Sequence, residues 1–356
     1  MNCINNVSNP EEMKNFAIDL DLVFRDAHDP VFDLYQCCSG PGEDFRRVPA
    51  EVADNTNEGV KFLALHSSGI RLRLKTNSRH LAMKVKMQFG VNIMNHMPLT
   101  GSSGFDFFLY DKGVQTFKFH LTPPCNCTEF CGVHDFENNE VRDIVINFPL
   151  YNQVSSVEIG LDGDAEILAP SKYRPIAPVL YYGSSITQGG CASRPGNAYQ
   201  SIISRRFDLD FINMGFSGSA RGEDIMVDHL TTFEPSVFVC DYDHNAPNPE
   251  HLEKTHYRLY ERYRAVHPKT PIIFVTKPDT DQWPEDAAAR RAVIKATYDR
   301  AKEQGDENVW FVDGGTFFGS EDRTAFTVDG CHPTDLGFWQ MARVIGDAVG
   351  EVLGIV

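Results

Sequence analysis

Val179-Leu180-Tyr181-Tyr182-Gly183-Ser184-Ser185-Ile186-Thr187-Gln188-Gly189 joins a β-branched and aromatic run to a glycine, two serines and a closing glycine. The run has the composition of a buried strand, and Ala198 to Phe207 beyond it reads as a helix. A hydroxyl on such a strand-to-helix turn stands at the carboxyl edge of an α/β sheet, where open sheets present their ligands and backbone N–H groups can face an anion. Taken alone, Gly-Ser-Ser is an ordinary turn. The residues around it decide the reading.

Downstream, short apolar runs alternate with amphipathic stretches. Strands are expected at Val179–Tyr182, Asp210–Met214, Val237–Asp241, Ile272–Thr276 and Val309–Val312, and helices at Ala198–Phe207, Asp224–Phe233, Pro249–Val266, Pro284–Gln304 and Thr334–Leu353. Five β-α units in succession imply an α/β domain whose parallel sheet is covered on both faces. Upstream the pattern differs. Runs at Val60–Leu65, Ile70–Thr76, His80–Phe89, Phe105–Tyr110, Val114–His120, Val141–Phe148 and Ser156–Leu161 have strand character and are separated by turns. Ile70-Arg71-Leu72-Arg73-Leu74-Lys75 alternates strictly, which predicts one face in a core and one in water. A two-sheet all-β sandwich follows for residues 1–172. The connections Val91–Ser103 and Leu121–Asn139 are too long for plain hairpins. Two prolines in Lys172-Tyr173-Arg174-Pro175-Ile176-Ala177-Pro178 suit a linker, so the expected division is 1–172, linker 173–178, and 179–356.

Composition narrows the function classes. The chain has 356 residues, room for two domains, and carries 33 basic against 49 acidic residues for a net charge of -16. That charge repels phosphate backbones, and no basic stripe interleaves with aromatics, so nucleic acid is not an expected partner. Neither a signal peptide nor a run of membrane-spanning length stands out, which makes a cytoplasmic protein without a membrane partner the expectation. The nine cysteines are irregularly spaced and read as thiols rather than a disulfide framework. Cys125-x-Cys127-x3-Cys131-x2-His134 is the one grouping with a metal-site flavour, but its spacing departs from structural zinc sites; loop thiols are the simpler account, and no metal is expected. Self-association is left open.

Four segments end strands or approach the last helix, all on one sheet edge: Gly183-Ser184-Ser185, Asn213-Met214-Gly215-Phe216-Ser217-Gly218, Asp241-Tyr242-Asp243-His244-Asn245 and Thr327-Val328-Asp329-Gly330-Cys331-His332-Pro333. Acyl transfer by a serine needs a base, a group to orient the base, and oxyanion donors. Ser185, His332, Asp329, the N–H of Gly218 and the amide of Asn245 provide these parts. Each has a plain alternative as a turn or capping residue; their joint order is the signal.

That order resembles the SGNH (GDSL-type) hydrolase superfamily, over about residues 179 to 340. The resemblance implies a flavodoxin-like three-layer α/β/α domain with Ser185 as nucleophile, His332 as base, Asp329 as its orienting partner, and Ser185, Gly218 and Asn245 around the oxyanion. Ser184 stands where the general family has Asp, and Asp243 where glycine is usual. A two-domain branch with a Gly-Ser-Ser-Ile-Thr block and an N-terminal β domain, here jelly-roll-like, is more similar; Gly104-Phe105-Asp106-Phe107-Phe108-Leu109-Tyr110 resembles its Gly-x-Asp-Leu-Tyr element with two extra residues. The resemblance implies a serine esterase releasing small acyl groups such as acetyl from a carbohydrate or other small-molecule ester, without cofactor. Alternatives are an acyltransferase using the same residues, or a carbohydrate-binding protein with an inactive hydrolase domain. His244 is a candidate substrate contact or a capping residue, and Arg194 a candidate substrate contact or a loop-fixing ion pair. Cys331 reads as a small packing residue.

Overall fold

A computed structural model describes residues 20–90, 94–124 and 126–356. The described residues divide into two compact units, one within 20–47, 65–173 and 193–196, the other of 48–64, 174–192 and 197–356.

Among the described residues the first unit contains the strands β1 (Leu22–Asp26), β2 (Asp33–Tyr35), β3 (Arg71–Thr76), β4 (His80–Met87), β5 (Phe105–Asp111), β6 (Val114–Leu121), β7 (Glu129–Asp135), β8 (Arg142–Asn147), β9 (Val154–Asp162) and β10 (Ile167–Leu168). They form two antiparallel sheets, ordered β1-β9-β4-β7 and β10-β3-β8-β5-β6, with β2 also on β3. The alternating apolar positions meet in one core. Leu72 and Leu74 stand opposite Ile146 and Ile144 in one sheet, while Leu81, Met83 and Val85 pair with Leu161, Ile159 and Val157 in the other.

The arginines of β3 correct an expectation. Their face is not in water: Arg71 is 2% exposed and Arg73 fully buried. The Arg73 guanidinium lies 3.7 Å from the centroid of the Tyr173 ring and donates to the Ser171 carbonyl, and Arg71 Nε donates to Tyr173 Oη. Residues closing the β half cover that face, and flat guanidinium groups tolerate burial because they stack on aromatic rings.

Two further expectations change. Val60–Leu65 is not a strand. Glu58–Leu63 is a helix, preceded by Ala50–Thr56, because Asn57 accepts the Val60 N–H as a cap and Glu58 sits in the first turn. A six-residue, mostly apolar run cannot distinguish the two periods. The stretch Leu121–Asn139 holds β7, whose period of two puts Cys131 and His134 on opposite faces of a strand. His134 stacks on Phe119 with ring centroids 4.0 Å apart, and burial lowers its pKa to about 4. Those two residues do not converge on a metal. Cys3 and Cys125 lie outside the described residues.

The second unit contains β11 (Val179–Gly183), β12 (Phe211–Gly215), β13 (Val237–Asp241), β14 (Ile272–Val275) and β15 (Val309–Val312), all parallel, in the order β12-β11-β13-β14-β15. This is the doubly wound flavodoxin-like order, with its switch between β11 and β13. Leu180, Tyr182, Phe238, Cys240, Ile272 and Phe274 pack with helices 224–230, 249–266 and 284–303 and with the two helices of residues 50–63. On the other face Tyr181 meets Tyr199 of helix 199–207 edge-on at 5.6 Å, and that helix packs on helix 335–353. No helix among the described residues is long and apolar enough to cross a membrane.

Candidate active site

Strand β11 ends in a turn that leaves no room for a side chain. A Cβ on Gly183 would lie 2.1 Å from Thr187 Oγ1 and 2.2 Å from the Asp241 carbonyl oxygen, so glycine allows β11, β13 and the next helical turn to meet. Ser184 then caps a single turn, Ser185–Gln188, accepting the Ile186 N–H at 3.2 Å. The turn closes at Gly189, whose φ is +103°. Buried amides hold it from below: Gln200 and Asn213 both donate to the Thr187 carbonyl, at 2.6 and 2.8 Å.

Ser185 is 7% exposed, and its Oγ lies 2.9 Å from His332 Nε2. His332 Nδ1 lies 2.8 Å from Asp329 Oδ2. The other carboxylate oxygen, Oδ1, accepts the backbone N–H groups of His332 at 2.7 Å and Cys331 at 3.0 Å. Partial burial pushes the Asp329 carboxyl up, but the His332 ring and these backbone donors outweigh it and hold the pKa below the ordinary value. The carboxylate is therefore charged at neutral pH, fixing the ring proton on Nδ1 and leaving Nε2 as acceptor toward the serine hydroxyl.

Gly218 has φ +67°, a left-handed conformation that aims the backbone of the β12 loop, and no atom lies within 4 Å of where its Cβ would be. This loop is anchored at both ends. Ser217 N–H donates to Gln188 Oε1 at 3.0 Å, and Asn57 Nδ2 donates to the Ser219 carbonyl at 3.0 Å. Asn245 follows β13, and its side-chain oxygen accepts the Ala220 N–H at 3.4 Å, which turns its amide nitrogen away from that contact. The unusual Asp243 has a structural partner: its Oδ2 accepts the Lys277 N–H at 2.9 Å, while Arg290 donates to its carbonyl.

Residues 176–349 match the GDSL-like Lipase/Acylhydrolase family, and residues 30–167 match the GxDLY N-terminus of SGNH-hydro-type esterases. The chain belongs to the SGNH (GDSL-type) hydrolases. Its pairing of a β unit with an α/β unit is that of the two-domain branch, and ester hydrolysis is the chemistry membership carries. No curated protein matches the sequence. Among solved structures, this SGNH hydrolase is similar to a protein described as a GDSL-like lipase from Bacteroides ovatus, with 27% identity over 94% of this chain and 99% of that one, and a TM-score of 0.84. It is also similar to the salicylyl-acyltransferase SsfX3 from a tetracycline biosynthetic pathway, at 18% identity over 94% and 99%, with a TM-score of 0.78. A family two carbohydrate esterase from Clostridium thermocellum, solved with cellohexaose, shares 15% identity over 81% and 94%, with a TM-score of 0.60. The last two likenesses speak for the fold alone.

The remaining candidates of the SGNH hydrolase fall in different surroundings. His244 is buried against Asp279, to which it is hydrogen-bonded. Burial opposes its charge, but Asp279 outweighs it and raises the pKa well above the ordinary value. Arg194 belongs to the β unit, its guanidinium 3.9 Å from the Phe117 ring centroid and 3.9 Å from Asp106 Oδ2. The same Asp106, fully buried, accepts Gly196 N–H and Asn147 Nδ2, each at 2.8 Å. Arg194 thus sits in the loop-fixing ion pair. Sequence reasoning passed over Gln188, Asn57, Asn213 and Asp241, since a single polar residue whose partner is distant in sequence carries no motif. Asp241 closes β13 and accepts Thr187 Oγ1 at 3.2 Å; burial and neighbouring Asp243 raise its pKa to about 8.

Proposed function

We propose that this SGNH hydrolase is a serine esterase that removes small acyl groups, acetyl first among them, from a carbohydrate. The observation that carries the mechanism is the continuous chain Ser185 Oγ, His332 Nε2 and Nδ1, Asp329 Oδ2, with links of 2.9 and 2.8 Å. His332 takes the Ser185 proton as Oγ attacks the ester carbonyl, and Asp329 supports the imidazolium that forms. The Ser185 N–H, the Gly218 N–H and the Asn245 amide receive the oxyanion. The alcohol leaves with the proton from His332, and water attacks the acyl-enzyme by the same steps reversed.

The preference for a sugar ester rests on the carbohydrate esterase among the fold relatives. Acetate release from acetylated sugars and from short- and long-chain nitrophenyl esters, by the protein and by Ser185→Ala, tests the reading. Serine-dependent release that falls steeply as the acyl chain lengthens is expected. Equal release by Ser185→Ala overturns the mechanism, and a preference for long chains overturns the substrate class. A second reading, transfer of the acyl group to an alcohol, is favoured by the full-length likeness to an acyltransferase fold. In the same assay it shows as an acyl ester formed at the expense of free acid when an acceptor alcohol is added.

A further inference from the structure

Beside the Ser-His-Asp chain lies a second set of donors that the mechanism above does not use. One ligand atom each from His244, Asp279 and Cys331 lies within 4.8 Å of the others. Sulfur, imidazole nitrogen and carboxylate oxygen form the mixed donor set that zinc takes, at about 2.3 Å for sulfur and about 2.0–2.1 Å for nitrogen. Tetrahedral ligands around zinc stand about 3.5 Å apart, so the three groups are within a small side-chain adjustment of that arrangement.

The surroundings are built as well. His244 Nε2 faces Asp279 Oδ1, and His244 Nδ1 faces Asp243 Oδ1 across 3.7 Å. Both atoms of this second contact are buried and lack a hydrogen-bond partner. Buried polar groups of this kind are costly unless satisfied. A metal on Nε2 fixes the ring proton on Nδ1 and directs it at Asp243, the carboxylate–histidine–metal relay that orients metal-binding imidazoles. Asp279 has its partner too: Lys277 Nζ lies 3.4 Å from Oδ2, leaving Oδ1 to face the histidine and the thiol. Asp243 is itself held by the Lys277 N–H.

We infer that His244, Asp279 and Cys331 form a binding site for a zinc-class divalent cation that restrains the loop carrying Asp329 and His332. Three protein ligands leave the fourth position to water, and the thiol proton passes to solvent on binding. Cys331 sits between Asp329 and His332 in sequence and donates its N–H to Asp329 Oδ1. A metal that takes hold of its sulfur therefore pulls on the peptide that orients the general base, and occupancy slows the reaction of Ser185. This last effect rests on the esterase reading; metal binding does not.

Cobalt(II) is the probe, because a thiolate ligand gives it a charge-transfer absorption in the near ultraviolet. The reduced, chelator-treated protein is titrated with cobalt chloride. One equivalent is expected to produce the band, and zinc chloride to bleach it. Cys331→Ser is expected to lose the band, His244→Gln to weaken binding more than tenfold, and Asp243→Asn to weaken it by about 10–100-fold. Cys38→Ser, at an exposed thiol, keeps it. Circular dichroism confirms the fold of each variant, and Cys331→Ala replaces any serine variant that fails to fold. A band absent from the parent protein, or undiminished in Cys331→Ser, overturns the site. Labelling of Ser185 by a phosphonate probe, with and without zinc, reads the restraint. Slowing in the parent but not in Cys331→Ser supports it, and metal binding without slowing overturns the restraint while leaving the site.

Discussion

The side-chain amide of Asn57 donates to the carbonyl oxygen of Ser219 at 3.0 Å, across 162 positions of sequence. Its nitrogen also donates to Glu223, and its oxygen caps the helix Glu58–Leu63. One residue therefore ties two helices from the β-rich half of the sequence to the loop that presents Gly218. Asn57→Ala is expected to lose about 1 kcal/mol for the cap, and more for the stranded Ser219 carbonyl and Glu223. If Gly218 serves the oxyanion, kcat falls about tenfold or more with little change in KM. Denaturant unfolding and steady-state kinetics check the two effects separately.

Asp329 holds His332 with one oxygen and two backbone N–H groups with the other. Asp329→Asn preserves the shape but offers the histidine either a donor or a weaker acceptor. A fall of roughly 10³–10⁴ in kcat with unchanged thermal stability is expected from the loss of the correct tautomer. An activity within tenfold of the parent rules the proposed role out.

Gly218 and Asn245 separate steric from electronic contributions. No atom obstructs a Cβ at position 218, so Gly218→Ala costs only the left-handed strain, about 1–2 kcal/mol, and the protein stays folded. If Asn245 serves the oxyanion, Asn245→Ala reduces kcat by about 10²–10³. Thermal denaturation and kcat of both variants provide the check.

Asp241 carries a pH signature. Its folded pKa is raised to about 8, chiefly by burial, above an unfolded value of about 3.9. Between these values the folded state holds a proton that the unfolded state has lost, so its contribution is full below about pH 4 and declines as pH rises to about 8. The slope is at most about 1.4 kcal/mol per pH unit. Asp241→Asn removes this component. Urea unfolding of both proteins at several pH values between 4 and 8 is expected to show stability falling less steeply in the variant; parallel curves contradict it.

The parallel α/β half and its candidate site edge were legible in the sequence. Each strand there is a short apolar run and each helix is amphipathic, so local periodicity specifies the elements, and strand order places Ser185, Gly218, Asn245 and the Asp329–His332 pair on one side. Local patterns also exposed most strands of the β half. They failed at Val60, where a short apolar run fits either period and the cap at Asn57 acts from outside it. They failed at Arg71 and Arg73, whose alternation implied water although Tyr173 and Ser171 cover them. Tertiary structure alone decided that Asn57 braces the Gly218 loop, that Asp241 is buried among Thr187 and Tyr199, and that Cys331 faces His244 and Asp279. These are pairings between residues distant in sequence, and they arise from the folded packing of elements, which no periodicity within an element encodes.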